Sequence, residues 1–317
     1  MGAGRYPYGR GGSNTTQDLV SGLGLYSMTA YRDVFFVDGN ETNASTSVSA
    51  GDKANPFSTV EAALDNATTD CTILIAPGHT ETLTGASQWD FATAGIQLIG
   101  LGQGQRRPRI TMNNTAATIA FSVSNQYMEN IIIQSSLPVI VDAVIIEDGI
   151  GNITIKACEW GYITEGTDEF IDCISMVNNN SNVLIQDCTF DMGEGNDGAV
   201  AAIHLDADTE SVSIINCEIH GDYSTACIVG DTTLSQELHI FNCKLQNGST
   251  DNIGTEPCIE LLTGTSGIIA DTYIMCNVAS DDASCVGDTM VHFNNVYSET
   301  IDSGVGIATA AGTTLTA

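Results

Sequence analysis

One cysteine-centred pattern recurs at nearly constant spacing in the middle of this chain. Each copy has alternating apolar residues, then one small or polar residue, a cysteine, and a further apolar position two residues later. The cysteines are Cys158, Cys188, Cys217 and Cys243, separated by 30, 29 and 26 residues. Alternation is the period of a half-buried strand, and a repeat of this length indicates stacked turns of similar structure.

The residue before each of these cysteines indicates a sharp bend between two strands. The four positions are Ala157, Asp187, Asn216 and Asn242. The apolar alternation changes parity here, so both strands can face one interior only if the chain turns a corner. Asn and Asp tolerate the left-handed backbone conformation that a one-residue corner requires. The repeated unit is therefore predicted to be strand, corner, strand.

A second column of small or sulfur-containing residues, each followed by Ile or Val, predicts a third strand in every turn. Its members are Cys173, Ala202, Cys227, Cys258 and Cys285. Three short strands per turn predict an all-β fold, a right-handed parallel β-helix or solenoid. A β-sandwich or jelly roll also uses many short strands, but it does not require cysteines in register.

The cysteines are expected to form a structural core ladder of reduced thiols, because cysteine packs as a small buried hydrophobe. The predicted ladder consists of Cys158, Cys188, Cys217, Cys243, Cys173, Cys227, Cys258 and Cys285. Disulfides between adjacent turns stay open as an alternative. Cysteine pairs with the spacing of a zinc site do not occur in the sequence.

The chain divides into four predicted parts. Residues 1–30 form an extended arm rich in Gly, Tyr and Arg, with Arg5, Tyr6, Tyr8 and Arg10 as partner-binding residues. A disordered tail is the alternative for this segment. Residues 31–110 form the cap and first turns, including a short capping α-helix at 55–67 with a Ser58–Glu61 capping box. The β-helix body follows at 111–300, and 301–317 form a C-terminal tail.

The charge is strongly acidic and unevenly distributed. The chain has 39 acidic and 9 basic residues, a net charge of −30. Residues 1–110 hold 7 basic and 10 acidic residues (−3), whereas 111–317 hold 2 and 29 (−27). Such a field disfavours nucleic acid and anionic membranes as partners. A membrane span and a secretory signal are not expected, which favours assembly in a host cytoplasm.

The N-terminal part resembles the corresponding signature of pectin-lyase-like β-helix proteins. The matching segments are 36–39 (Phe-Val-Asp-Gly), 55–64, 73–81 and 96–100, and the likeness covers about residues 34–300. The resemblance implies the fold but not one function, because such proteins include polysaccharide lyases, glycoside hydrolases, phage tailspikes and noncatalytic virion proteins. Residues 5–9 also resemble the short N-terminal arm of some phage structural proteins.

A lyase of this fold needs an arginine or lysine base beside a calcium cluster. The repeat region, 111–317, contains no arginine. Arg106, Arg107 and Arg109 precede the strand at Ile110 and are predicted to lie in a surface loop. The sequence leaves open calcium binding between acidic turns, at 194–197 or 206–210, as an alternative.

A glycosidase needs a pair of carboxyl groups. The candidates for such a pair are Asp281–Asp282 and the segment His220-Gly221-Asp222. The other motifs that accompany such residues in the hydrolases that this chain resembles are missing from the sequence. His239 and His292 are expected outside the inward columns. No catalytic, cofactor-binding or metal-binding residue is therefore predicted, and no cofactor.

These observations favour a noncatalytic phage virion structural protein that decorates or stabilises the capsid surface and docks through its arm. The expected partner is the major capsid protein or another virion protein, and the expected assembly is a homotrimer. A tailspike-like carbohydrate-active hydrolase or lyase acting on a host polysaccharide is the alternative. A surface adhesin is the second alternative.

Overall fold

The computed structural model describes residues 33–193, 199–206, 208–230, 234–248, 256–276, 285–286 and 289–298. Nearly all regular structure in these ranges is β-strand, numbered β1 to β27 in chain order, with one α-helix, α1 (Val60–Asp65), and one 3₁₀-helix (Gly104–Arg106). The arm, the C-terminal tail, Asp281 and Asp282 lie outside the described residues.

The strands form three parallel sheets, which we call A, B and C. Sheet A contains β1 (Val34–Val37), β2 (Thr72–Ile75), β5 (Gln97–Gly100), β8 (Gln126–Glu129), β11 (Gly151–Lys156), β14 (Ser181–Gln186), β17 (Glu210–Ile215), β20 (Leu238–Phe241), β23 (Gly267–Ala270) and β26 (Val291–Phe293).

Sheet B follows sheet A in each turn. It contains β3 (Thr80–Leu83), β6 (Arg109–Met112), β9 (Ile132–Ser135), β12 (Glu159–Tyr162), β15 (Thr189–Asp191), β18 (Glu218–Gly221), β21 (Lys244–Asn247), β24 (Tyr273–Cys276) and β27 (Val296–Ser298).

Sheet C completes each turn. It contains β4 (Trp89–Phe91), β7 (Ile119–Phe121), β10 (Ile140–Ile146), β13 (Phe170–Met176), β16 (Ala201–Leu205), β19 (Ala226–Gly230), β22 (Ile259–Leu261) and β25 (Cys285–Val286). Each strand pairs in parallel with strands of the turns before and after it, as in β11–β14 and β14–β17. This arrangement confirms the predicted parallel β-helix.

The corner between sheets A and B has the predicted conformation. Ala157, Asp187, Asn216 and Asn242 have φ values of 50°, 55°, 55° and 51°. The cysteine after each corner is buried. Three of the corner side chains form a chain of hydrogen bonds along the rod, here called the corner ladder: Asn216 Nδ2 donates to Asp187 Oδ1 (3.0 Å), and Asn242 Nδ2 donates to Asn216 Oδ1 (2.8 Å).

The interior is one continuous apolar core, because inward positions repeat the same residue types in successive turns. In sheet A, Ile155, Ile185, Ile214 and Ile240 stack in register. In sheet B, the rings of Trp160 and Phe190 stack with centroids 4.5 Å apart. Each fully buried Ile or Phe side chain contributes about 1.5–3 kcal/mol, so this stacked core stabilises the fold.

The capping helix is shorter than the sequence predicts, and its N-cap is different. The N-cap is Thr59, whose side chain accepts a hydrogen bond from the Ala62 amide at 3.2 Å, so the predicted Ser58–Glu61 capping box is wrong. The helix cannot start earlier because the Phe57 amide donates to the Phe36 carbonyl and the Ser58 amide to the Ser45 carbonyl. These two residues are held in extended pairing.

The predicted position of Cys285 in the second column is wrong by one residue. Cys285 pairs with Ile259, not with Cys258, and it is only partly buried. A Cys-Ile or Cys-Val dipeptide does not reveal which of its two residues takes the ladder position. None of the ten cysteines, all of which the structure describes, forms a disulfide, and the nine other than Cys285 are buried.

Candidate functional site

The outer face of sheet C carries a cluster of ionisable and hydroxyl side chains that we call the sheet C cluster: Asp142, Asp172, Ser175 and His204. Asp142 on β10 lies opposite Asp172 on β13, and Ser175 on β13 lies opposite His204 on β16. Neighbouring parallel strands are about 4.8 Å apart, so the topology brings residues 30 positions apart into one site.

A histidine–carboxylate contact organises this cluster. His204 Nδ1 lies 3.0 Å from Asp172 Oδ2. Asp172 is only 7% exposed, and its Oδ1 atom is buried without a hydrogen-bond partner in the described part of the chain. A buried carboxylate oxygen without a partner is energetically unfavourable, and a bound group or water that donates a hydrogen bond would relieve this cost.

The surroundings of Asp142 in this cluster change its pKa. Burial, and then the negative charge of Asp172, raise the pKa of Asp142 to about 6, against smaller opposing effects of Ser175 and His204. A carboxylic acid that titrates near pH 6 can give or take a proton under mild conditions. The cluster therefore has the chemical means for general acid–base action.

A small apolar surface continues the cluster along the same face. Ala201 and Ala226 follow Asp172 in one column, and Val229 follows His204 in the next. These three residues form a buried apolar group separate from the interior core. The ionisable residues therefore lie at one end of an outer strip of small side chains.

The structure pairs His220 differently from the sequence motif. His220 Nδ1 lies 3.3 Å from Asp191 Oδ1, on the preceding turn of sheet B. The hydrogen bond from His220 lowers the pKa of Asp191. His220 is thus paired with a residue 29 positions earlier, and the sequence-adjacent Asp222 is a buried residue of the following connection.

A buried polar network holds the capping helix against the first turn. Glu81 Oε2 accepts a hydrogen bond from the Val60 amide at 2.8 Å, and Glu81 Oε1 accepts one from Trp89 Nε1 at 3.1 Å. His79 Nε2 lies 3.3 Å from the same carboxylate, and His79 Nδ1 accepts from the Gly39 amide at 3.1 Å. A carboxylate at a helix N-terminus is stabilising, so this network is structural.

Arg107 has a structural role rather than the predicted surface position. Its side chain is only 15% exposed and forms an ion pair with Glu159 at 2.8 Å. Its guanidinium also donates to the carbonyls of Ala157 at 2.6 Å and Ile131 at 3.4 Å. Arg107 thereby connects its own turn to the next two.

In the last described turn His292 is solvent-exposed, as expected, but it lies in register with an inward column. His292 pairs with Ile269, a core residue, and Tyr297 pairs with Ile274. His292 Nδ1 lies 2.6 Å from the Tyr297 hydroxyl oxygen, and His292 is exposed. The inward columns therefore change from apolar to polar residues in this turn.

Within the described ranges, no group of three or more His, Cys, Asp or Glu side chains could hold a metal ion. None of the helices described is both long and apolar enough to cross a membrane. The predicted partner-binding residues Arg5, Tyr6, Tyr8 and Arg10 lie outside the described residues, as does the acidic segment 194–197.

No family model and no curated protein matches the chain. Two solved structures align with it. A rhamnogalacturonan lyase aligns with a TM-score of 0.41 and 14% identity, over 86% of this chain and 64% of that one. ORF18 of Geobacillus virus E2 aligns with a TM-score of 0.41 and 11% identity, over 89% of this chain and 63% of that one.

This chain therefore spans a little under two thirds of each of these proteins. At sequence identities of 14% and 11%, the similarity to these two proteins concerns the fold alone. The parallel β-helix itself rests on the strand pairing of this chain.

Proposed function

We propose that this chain is a noncatalytic structural protein of a phage virion that decorates or stabilises the capsid surface. The observation that carries the proposal is the place where the arm joins the body. β1, which starts at Val34, is the terminal strand of sheet A, so residues 1–32 connect to the solenoid at one end. The cap residues 31–110 hold five of the seven basic residues that follow the arm: Arg32, Lys53, Arg106, Arg107 and Arg109.

The charge distribution supports docking through this end. Residues 111–317 carry a formal charge of −27, whereas residues 1–110 carry −3. An acidic viral shell would repel the body more strongly than the cap end. Arg5, Tyr6, Tyr8 and Arg10 supply the residue types that concentrate binding energy at protein interfaces. The proposed partner is the major capsid protein or another virion protein.

The body has properties suited to such a role. Its stacked parallel sheets form an elongated scaffold, and its buried thiols suit folding in the reducing cytoplasm of a host cell. A homotrimer at a threefold site of the shell is the assembly that we propose. Sedimentation of purified protein as a stable dimer would contradict that assembly.

Particle binding tests the proposal directly. Particles lacking this protein would be mixed with the full chain, with a deletion of residues 1–18, and with an R5A/Y6A/Y8A/R10A variant, and occupancy would be measured after sedimentation. We expect the full chain to bind and both variants to lose binding. Lys53→Ala, at the cap end but outside the arm, is the matched control. Wild-type occupancy of the deletion variant would overturn docking through the arm.

The sheet C cluster favours a second candidate function, a carbohydrate-active enzyme. Asp142 and Asp172 lie opposite each other on adjacent strands, and glycosidases use a pair of neighbouring carboxyl groups. The raised pKa of Asp142 suits the acid of such a pair. Release of reducing ends from a panel of host polysaccharides, abolished by Asp142→Asn and by Asp172→Asn but not by Asp191→Asn, would establish this function. No turnover on the panel by the full chain would exclude it for those substrates.

A further inference from the structure

The outer face of sheet A changes from charged to apolar along the rod. Two outward columns run along this face, one through Tyr127 and one through Glu129. In the middle turns they are polar: the Tyr127 hydroxyl donates to Glu129 at 2.7 Å, and Lys156 forms an ion pair with Glu129 at 3.8 Å. From β14 to β26 neither column contains an Asp, Glu, Lys or Arg residue. We call their large apolar residues the sheet A strip: Leu184, Ile215, Phe241, Ile268, Val291 and Phe293.

The side chains of the sheet A strip are accessible on the surface. Val291 is 52% exposed and Phe293 is 65% exposed. Ile215, Phe241 and Ile268 are partly exposed. In β17, β20 and β23 the strip residues alternate with buried core residues, so they point away from the interior. A contiguous apolar surface of this kind is typical of a site that binds another protein.

The apolar character belongs to sheet A and not to the solenoid surface in general. In the same turns, the outward positions of sheet B carry Asp191, Glu218, His220 and Lys244. These side chains form ion pairs or hydrogen bonds with one another across turns. The strip is therefore a specific feature of one face in a strongly charged body.

Acidic side chains border the strip along both long edges. On the side of the corner, Asp187 and Asp271 are exposed, and on the opposite side Glu210 and Glu237 are exposed. Lys244 is the only basic residue between positions 181 and 298, and its side chain pairs with a carboxylate on sheet B. The strip is thus an uncharged apolar surface between two negatively charged edges.

We propose that the sheet A strip binds a segment of another protein in which apolar residues are flanked by Lys or Arg. The apolar residues of such a segment would cover Phe241 and its neighbours, and its cations would lie beside the carboxylates at the edges. A second copy of this chain would bring the same acidic edges together, and juxtaposed like charges oppose association. The homotrimer proposed above therefore uses another surface.

The dimensions of the strip define the length of the segment. From β14 to β26 the strip crosses four strand spacings, or about 19 Å. An extended segment of about six residues has the same length. A short peptide can therefore serve as the probe, and the inference does not rest on the virion function.

Binding of two labelled peptides to the full chain tests the proposal by fluorescence anisotropy. Both peptides have a centre of alternating Val and Tyr residues, and either lysines or glutamates flank that centre on each side. We expect the lysine peptide to bind at least tenfold more tightly than the glutamate peptide, and added salt to reduce the difference. Equal affinities, or no binding of the lysine peptide to the unmodified chain, would overturn the proposal.

Variants of the chain separate binding at the strip from general attraction to an acidic body. Phe241→Ser and Ile268→Ser should each weaken binding of the lysine peptide at least fivefold. Tyr273→Ser, which removes an outward aromatic side chain from sheet B, is the matched control and should leave the affinity unchanged. Because two strip variants are used, the test survives if one of them fails to fold. An unchanged affinity in the folded strip variants would overturn the proposal.

Sedimentation velocity tests the choice of partner. We expect Phe241→Ser and Ile268→Ser to sediment like the unmodified chain, because the strip is free of contacts between copies. A shift of the unmodified chain from oligomer to monomer in these variants would assign the strip to a second copy. That result would overturn a partner with basic flanks.

Discussion

The two kinds of connection that close each turn differ sharply. The corner between sheets A and B uses one left-handed residue in turn after turn, at Ala157, Asp187, Asn216 and Asn242. The connections from sheet B to sheet C have 7, 9, 4 and 11 residues after β12, β15, β18 and β21. The corner therefore keeps the same geometry in these turns, whereas the connections that lead into sheet C, which carries the ionisable cluster, vary in length. The repeated corners form the scaffold of this solenoid, and the sheet C cluster lies next to the connections of variable length.

The largest effect is expected from a charge placed behind the corner. Cys217→Asp would bury a carboxyl group in the core and should lower the free energy of unfolding by roughly 3–5 kcal/mol. Cys217→Ser is the matched control, because its hydroxyl can donate to the carbonyls of Ile185 and Ile215 that the thiol contacts. The stability of both variants would be measured from the midpoint of their unfolding in urea. Equal midpoints for the two variants would contradict an inward-pointing Cys217 side chain.

The sheet C cluster should make stability depend on pH. The pKa of Asp142 is raised to about 6 in the folded chain and is about 4 when unfolded. Its stabilising contribution is therefore complete below pH 4 and is lost as the pH rises through 6. Because the carboxyl is partly exposed, we expect a loss on the order of 1–2 kcal/mol.

Asp142→Asn should remove that loss and raise the melting temperature at pH 7. Asp191→Asn is the contrasting variant. Its pKa is lowered by His220, so Asp191 stabilises the fold above its unfolded pKa, and that contribution is lost as the pH falls through its folded value. We would measure melting temperatures from pH 3 to 8 and plot, for each variant, the difference from the unmodified chain against pH. The two differences should change with pH in opposite directions. Parallel plots would contradict the opposite pKa shifts assigned to Asp142 and Asp191.

A smaller effect is expected at the corner itself. Asn216→Ala removes both hydrogen bonds that Asn216 makes in the corner ladder and should cost about 1 kcal/mol. The backbone conformation should survive, because Ala157 already adopts it at the equivalent position. Asn216→Val should cost more, since a β-branched residue disfavours positive φ. Equal stability of these two variants would argue against strain at the corner.

The smallest effect is expected on the exposed surface of sheet B. Lys244 forms an ion pair with Glu218 in which both side chains are about half exposed. Lys244→Ala should change the free energy of unfolding by less than about 0.5 kcal/mol, and added salt should reduce the difference further. A loss comparable to that of Asn216→Ala would show that this pair is more than a surface contact.

The corner could be predicted from the sequence because the constraint is local. One residue must adopt positive φ, the next must fit the interior, and both requirements recur at each turn. The capping helix was predicted in the right place but too long, since the pairing of Phe57 and Ser58 with distant residues outweighs their local preference. The predicted position of Cys285 was wrong because the register of a strand is set by its pairing with the neighbouring strand, which the sequence of one strand alone does not reveal.

The sheet C cluster was not predicted, although a signal for it exists. Asp172 immediately precedes Cys173 in the second cysteine column, and Asp142 lies 30 residues earlier, one repeat period away. Comparing outward positions between turns could have found this pair. The partnership of Asp191 with His220 has the same origin. Motifs made of residues adjacent in sequence do not detect contacts between residues of different turns.

The stacking of parallel strands also determines how the molecule bears a mechanical load. Strand pairing in sheets A, B and C joins each described turn only to the turns on either side. A force along the rod therefore acts on successive interfaces in series, and the weakest one sets the force at rupture, whatever the number of turns. Arg107 reinforces two consecutive interfaces at once, because it contacts the carbonyls of Ile131 and Ala157. Rupture under tension should accordingly begin away from the cap end.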